Sequence, residues 1–351
     1  MQTPYFKYKS RILEKNYRAF EELAKKHLKD FIIAFSVKTN TTSQVINTLN
    51  SLGSNFEVAS LKEIQATPDK HKIFNGPAKT VEELRIAIKK KFLINVDSES
   101  EIDKIAEITN NQEFNIGLRI STNDSKFGFN ENQLEKTVKY AKSKNLNVIC
   151  LQIHCGTQQT IANFTLNLKK SVNIIENLQK KYKLDLKYID VGGGFPDKIQ
   201  LKNLNTTLEE YFKEIKNHLQ KFNTAIILEP GRNLIADAFT LITKVQVIKE
   251  KSDKKYAIID AGINLLPRIT LSTYKFKKII QQKTDHKLLP TPQTKKQEYI
   301  LAGPLLFSND TLGKIQENLQ EDDLIEIQNV GAYCYNLAWS ISYDKPEVVV
   351  G

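Results

Sequence analysis

No stretch of this sequence approaches the roughly 20 apolar residues of a membrane-spanning helix, so a spanning helix is not expected. The opening segment, MQTPYFKYKS, lacks the apolar core of a secretory leader. Cysteine is scarce: Cys150, Cys155 and Cys334 form no CxxC pair and cannot supply a disulfide framework. Reduced thiols and a cytoplasmic setting are the expectation. The five histidines show no HxxxH spacing, so no metal site is expected. Neither GxGxxG nor GxxxxGK[ST] occurs, which gives no support to a dinucleotide fold or a P-loop. Internal repeats and low-complexity linkers are also lacking.

What is present has the balance of a globular protein: 351 residues, 40% hydrophobic and 26% charged. The formal net charge is +11, but the basic residues are spread along the chain rather than gathered in a block. That distribution reads as a solvated basic surface, with no nucleic-acid partner expected and some attraction for small anions.

Short apolar runs alternate with amphipathic stretches over the first two thirds. The segments 31–37, 54–60, 72–76, 92–97, 115–121, 147–156, 186–194 and 224–230 read as strands. Between them, 11–28, 41–52, 61–67, 80–90, 99–109, 131–144, 163–182 and 207–222 mostly carry helical spacing. Eight such alternations predict a (β/α)8 TIM-like barrel, with an open doubly wound sheet as the alternative. After about residue 240, strand-like runs continue without matching helices, predicting a separate C-terminal β domain. The expected organisation is a strand over 1–10 joining the β domain, a barrel over 11–240 and the β domain over 241–351. The polar segment 276–297 is expected to be a loop or hairpin excursion.

Chemistry in a parallel barrel sits at the C-terminal ends of its strands. Lys38 ends the first predicted strand, His154 the sixth, Gly192–Gly194 follow the seventh, and Glu229, Gly231 and Arg232 follow the eighth. Taken singly, each has a plain structural reading. A strand-end lysine is ordinarily a solvated charge. If it is buried, desolvation lowers its pKa and frees the amine for a Schiff base. Three glycines can be a tight turn, yet they also let several backbone N–H groups approach one anion. Glu229 can be a salt-bridged carboxylate, or it can keep a pyridine nitrogen protonated. His154 can be a core histidine, or a flat ring stacked on a cofactor.

In combination they are far more specific. FSVKTN, FEVAS, GLRISTNDSKFGF, IHCGTQ, DVGGGFP, LEPGR, DAGINLLPR, GPLLFSND and NVGAY follow one another in this order. This series resembles the fold-III pyridoxal-phosphate (PLP) decarboxylases, the ornithine and diaminopimelate decarboxylase family with an alanine-racemase-like barrel. The resemblance implies PLP as cofactor, with Lys38 holding it and Glu57 setting the electrostatics near that lysine. It implies that Arg119 anchors a hydrogen-bond network and that His154 stacks on the ring. Thr157, Gly192, Gly193, Gly194, Gly231, Arg232 and Tyr333 would hold the phosphate, and Glu229 would pair with the ring nitrogen. A homodimer with shared active sites is implied as well.

The chain departs from the family in the GPxC segment, where Leu306 stands in place of Cys and Phe307 in place of a polar substrate reader. Gln152 stands where the diaminopimelate enzymes often have an extra His. Cys334 is one candidate for the missing proton donor; a small buried residue is the other reading. Asp310, Phe307 and Arg268 are expected at the substrate, with Arg268 gripping a distal carboxylate. The expected activity is α-decarboxylation of an L-amino acid or an acyl- or citryl-conjugated diamino acid, as in siderophore- or polyamine-type biosynthesis. An amino-acid racemase and a non-catalytic PLP-binding homologue are the alternatives.

Overall fold

The computed structural model describes residues 2–121, 125–267, 272–280 and 296–351. The chain forms two compact units, one of residues 13–234 and one that joins residues 1–12 to 235–351.

Strand β1 (Tyr5–Tyr8) belongs to the second unit. The first unit is a closed barrel of eight parallel strands: β2 (Phe31–Ser36), β3 (Asn55–Val58), β4 (Lys72–Phe74), β5 (Leu93–Val96), β6 (Phe114–Arg119), β7 (Leu146–Gln152), β8 (Tyr188–Asp190) and β9 (Ala225–Leu228). Pairing of β9 with β2 closes the ring, so the open doubly wound alternative is excluded. Helices connect successive strands, and their starts are written locally. Thr80 and Glu83 form a reciprocal capping box at Val81–Lys89, and Asn130 and Gln133 do the same at Glu131–Ser143. Each arrangement satisfies amide groups that the first helical turn leaves over. The short helix Lys198–Asn203, capped by Asp197, was not expected.

The barrel interior is stacked in layers. Ala34, Ile73, Leu93, Cys150 and Ile227 form a buried apolar cluster, with Tyr188 packed against it. Side chains two residues apart on a strand share a face. One step toward the C-terminal ends therefore lie Ser36, Asn75, Asn95, Gln152, Glu229 and Asp190, all buried. The barrel thus changes from apolar to polar over one layer, at the end where chemistry was expected.

In the second unit, β10 (Phe239–Lys251) is the long central strand and β11 (Lys254–Ile259) its antiparallel neighbour. The sheet continues with β12 (Lys275–Lys278), β13 (Gln297–Ala302), β14 (Thr311–Glu317), β15 (Leu324–Gln328) and β16 (Val348–Val350). β1 pairs antiparallel with β10 and parallel with β16. Residues 275–278 are a strand paired with β15 rather than an excursion, while 281–295 lie outside the described residues.

Candidate active site

Lys38 lies on a single 3₁₀ turn, Val37–Thr39, directly after β2. The turn follows a buried strand, yet the Lys38 side chain is 46% exposed, which is the solvated of the two readings of a strand-end lysine. Its Nζ donates to Glu57 Oε2 at 2.7 Å, and Ser36 Oγ donates to the same oxygen at 2.5 Å. Glu57 is fully buried. Burial alone would raise its pKa. The Lys38 charge, with hydrogen bonds from Lys38, Ser36 and Asn75, outweighs burial and holds it below the usual carboxylate range.

Asn75 Nδ2 bridges two carboxyls, donating to Glu57 Oε1 at 3.2 Å and to Glu229 Oε1 at 2.7 Å. Its Oδ1 accepts from Asn95 Nδ2 at 2.9 Å, and the same Nδ2 lies 3.1 Å from Asp190 Oδ2. Asp190 Oδ1 accepts from the Gly192 amide at 2.8 Å. Asn95 needs the bare backbone of Gly117, because a Cβ there would stand 1.9 Å from Asn95 Oδ1. Burial, with the negative charges of Asp190 and Glu57, pushes Glu229 well above the ordinary value. Burial likewise raises Asp190 to about 7. Asn75, Asn95 and Asp190 were not among the residues expected at the site.

The glycine segment is shaped by close packing. Gly192 and Gly194 have φ of +68° and +84°, a region that side chains rarely adopt. A Cβ on Gly193 would lie 2.3 Å from Glu229 O, and one on Gly194 would lie 1.9 Å from Gly156 O. Among the described hydrogen bonds, the amides of Gly193 and Gly194 meet no protein acceptor. His154 packs on this loop, its Nδ1 3.0 Å from where a Gly192 Cβ would be. Burial, then the positive charges of Lys38 and Arg119, lower its pKa to about 4, so the imidazole is neutral at pH 7. Gly231 packs on the Lys38 turn, where a Cβ would meet Thr39 Oγ1 at 2.2 Å, and Ser36 N donates to Pro230 O at 3.1 Å. Arg232 is buried at the next position, and Thr157 is exposed in the loop after β7. Arg119 ends β6, with its Nη1 3.7 Å from Asp97 Oδ2 and its guanidinium 4.4 Å from the Phe127 ring centre.

The other expected residues belong to the second unit. Tyr333 adopts a left-handed conformation before the turn Cys334–Leu337. Cys334 is buried, its Sγ 3.3 Å from Tyr274 Oη, which fits a small packed residue. Asp310 was expected to face substrate. Instead it is 3% exposed, and its carboxylate accepts from Ile263 N at 2.7 Å and Leu305 N at 2.8 Å. Gly262 and Gly303 press against it so closely that a Cβ on either would clash with its oxygens. Asp310 therefore braces its own loop. Leu306 is fully exposed and Phe307 44% exposed. Arg268 lies outside the described residues.

Backbone donors without acceptors, on the rim that carries a solvent-reachable amine and a neutral imidazole, suit a ligand with both a phosphate and a carbonyl. A barrel of this kind is that of the pyridoxal-phosphate enzymes. Residues 13–236 match the family model described as "Pyridoxal-dependent decarboxylase, pyridoxal binding domain", and the chain belongs to this family. It is 31% identical over 364 residues to the diaminopimelate decarboxylase of Vibrio cholerae, covering 96% of this chain and 84% of the relative. It is 27% identical over 366 residues to that of Aquifex aeolicus, covering 96% and 83%. The crystal structure of diaminopimelate decarboxylase from Helicobacter pylori, complexed with L-lysine, superposes with a TM-score of 0.85 at 25% identity, covering 100% of this chain and 91% of that one. The protein is a PLP-dependent decarboxylase, as the motif order implied.

Proposed function

We propose that the chain decarboxylates an amino acid whose far end carries a carboxylate or an acyl group, with the cofactor held at Lys38. The observation that carries the substrate class is the 303–310 segment. Its one carboxylate, Asp310, is consumed by backbone amides, and its exposed side chains include the apolar Leu306 and Phe307. A distal ammonium desolvated there without a partner would cost several kcal/mol by order of magnitude, about 3 or more. Arg268 is proposed to grip the distal carboxylate through paired hydrogen bonds. Acyl- or citryl-conjugated diamino acids of the siderophore type satisfy these conditions. Free diaminopimelate is the second reading, favoured by the relatives' activity.

The residues divide the work. The amides of Gly193 and Gly194, with Thr157, Gly231, Arg232 and Tyr333, hold the phosphate. Lys38 supplies the amine, with Glu57 as its counter-charge. His154, neutral and packed on the glycine loop, would hold the ring from one face, and Arg119 would brace the network beside it. Glu229 holds the proton at the ring nitrogen. Bound PLP supplies an electron sink for the pair of electrons left when CO2 departs. Cys334 stands as a candidate proton donor to the α-carbon in place of the family Cys, and would act from its contact with Tyr274.

We place the working form as a cytoplasmic homodimer. Large apolar side chains are exposed at Leu306, Phe307, Leu337, Trp339, Ile341 and Tyr343, and a second copy would take them out of water. Among the described residues no helix is long and apolar enough to cross a membrane. All three cysteines are free. Light scattering of wild type and Trp339→Glu tests the assembly; a wild-type monomer with full activity would refute it.

The deciding experiment compares kcat/KM for citryl-ornithine, diaminopimelate, lysine and ornithine, in wild type and Arg268→Ala. The expected result favours a carboxylate-ended substrate by at least about tenfold and loses that preference in the variant. A preference for free lysine or ornithine, untouched by the substitution, would overturn the reading.

A further inference from the structure

Among the described residues, three carboxyl groups share the polar layer, Glu57, Asp190 and Glu229, and Lys38 is the cation that acts on Glu57 and Glu229. Glu57 on β3 takes that cation. Asp190 and Glu229 end the paired strands β8 and β9, are joined through the Asn95–Asn75 amide pair, and each acts on the proton affinity of the other; the hydrogen-bond donors they meet are neutral. The titratable groups facing them are Glu57, Lys38 and the buried Cys150 thiol, with neutral His154 across the glycine loop. Two adjacent buried carboxyls cannot both ionise at neutral pH without a cation.

The pattern of donors distinguishes the two. Asp190 accepts N–H bonds at both oxygens, from Gly192 at Oδ1 and Asn95 at Oδ2. Glu229 accepts one, from Asn75 at Oε1. A carboxyl whose two oxygens both accept is suited to be the anion. One with a single accepted bond retains an oxygen that can carry hydrogen. We propose that Asp190 is a positioning residue: it stays ionised, accepts the hydrogen bond of a protonated Glu229, and so keeps one proton stored beside the place where a basic ring nitrogen binds. When such a base arrives, the Glu229 O–H bond breaks and the proton passes to the nitrogen. Glu229 becomes the anion that pairs with the new cation, and Asp190 is unchanged. The negative charge of Asp190 then raises the proton affinity of the nitrogen–Glu229 pair.

Burial raises the proton affinity of both groups, which favours one proton being kept between them; the donor pattern places it on Glu229. The inference rests on the proposed placement of Glu229 at the ring nitrogen, but the storage of the proton belongs to the protein alone. It is therefore measured first on protein freed of PLP.

Infrared difference spectra of the cofactor-free protein, recorded across pH, report the C=O stretch of a protonated buried carboxyl. Wild type is expected to keep this band at neutral pH. In Asp190→Asn the neighbouring charge is gone, and the band's midpoint falls by more than about one pH unit. Asn95→Ser keeps Asp190 but removes one bond to its anion, so the midpoint moves the other way. A structural role alone would not produce opposite shifts. The loaded proteins are then compared by the ¹⁵N shift of labelled ring nitrogen, which is expected to lose its proton at lower pH in Asp190→Asn. Absence of the band in wild type, or equal midpoints in wild type and Asp190→Asn, overturns the stored proton. Presence of the band with a ring nitrogen that never protonates would instead sink the placement of Glu229. Thermal melts identify a variant that fails to fold; the two substitutions alter different residues, and either one that folds gives a signed outcome.

Discussion

The two sides of the barrel's polar layer are equally buried and behave in opposite ways. On the β2–β3 side, Glu57 lies 2.7 Å from a lysine ammonium and is held ionised. On the β8–β9 side, Asp190 and Glu229 have amide donors and each other, and both are pushed toward the protonated form. Burial is common to all three, so the difference comes from the cation. One side is already compensated by the protein, and the other is compensated only when a positive group is brought to it. A site for a pyridinium ring has to be of the second kind.

The comparison breaks most completely at its cation. Lys38→Ala removes the amine and frees Glu57 to behave like its neighbours. Activity should fall by roughly a thousandfold or more, and borohydride treatment should no longer fix PLP to the 31–40 peptide by mass spectrometry. On the other side, Glu229→Gln keeps the shape and removes the titrating group. PLP should remain bound after dialysis while turnover drops about a hundredfold; wild-type turnover would refute the role.

Asn75 is the bridge between the sides, and its loss strips one donor from each carboxyl. Asn75→Ala should cost about 1–3 kcal/mol in urea unfolding, as for other buried polar groups left short of a partner. The smallest effect is a pH dependence at His154, which lies outside the comparison and serves as its control. Its folded pKa of about 4 is below the ordinary imidazole value of 6.5. The unfolded chain therefore binds a proton first as pH falls, and stability present above about pH 6.5 declines toward pH 4. His154→Gln should flatten that decline in unfolding curves taken across the range and leave the protonated-carboxyl band of the β8–β9 side in place.

Much of this was legible in the sequence, for reasons that differ by element. Buried parallel strands are short apolar runs, and amphipathic helices between them keep a different period, so all eight alternations stood out. The glycine and Lys38 segments were legible because strand ends on one rim are informative before any side chain is placed. Asn75, Asn95 and Asp190 were missed because strand-end amides and acids read as loop polarity. A usable signal existed: each follows by two an inward apolar residue, Ile73, Leu93 or Tyr188. The exposure of Lys38 was not legible, because an apolar strand says nothing about the turn that follows it. Asp310 was misread because its partners are backbone amides brought close by Gly262 and Gly303, which only tertiary contact reveals.

The placement of the first strand has a consequence for how the molecule is made. β1 finds its partners in β10 and β16, more than 230 residues later in the chain. A ribosome therefore exposes the unpaired amides and carbonyls of β1 while the whole barrel is being synthesised, until β10 and then β16 emerge. At synthesis rates of roughly 5–20 residues per second the strand waits some tens of seconds. Chains released before β10 would keep β1 as an unpaired strand, open to pairing with another copy of itself.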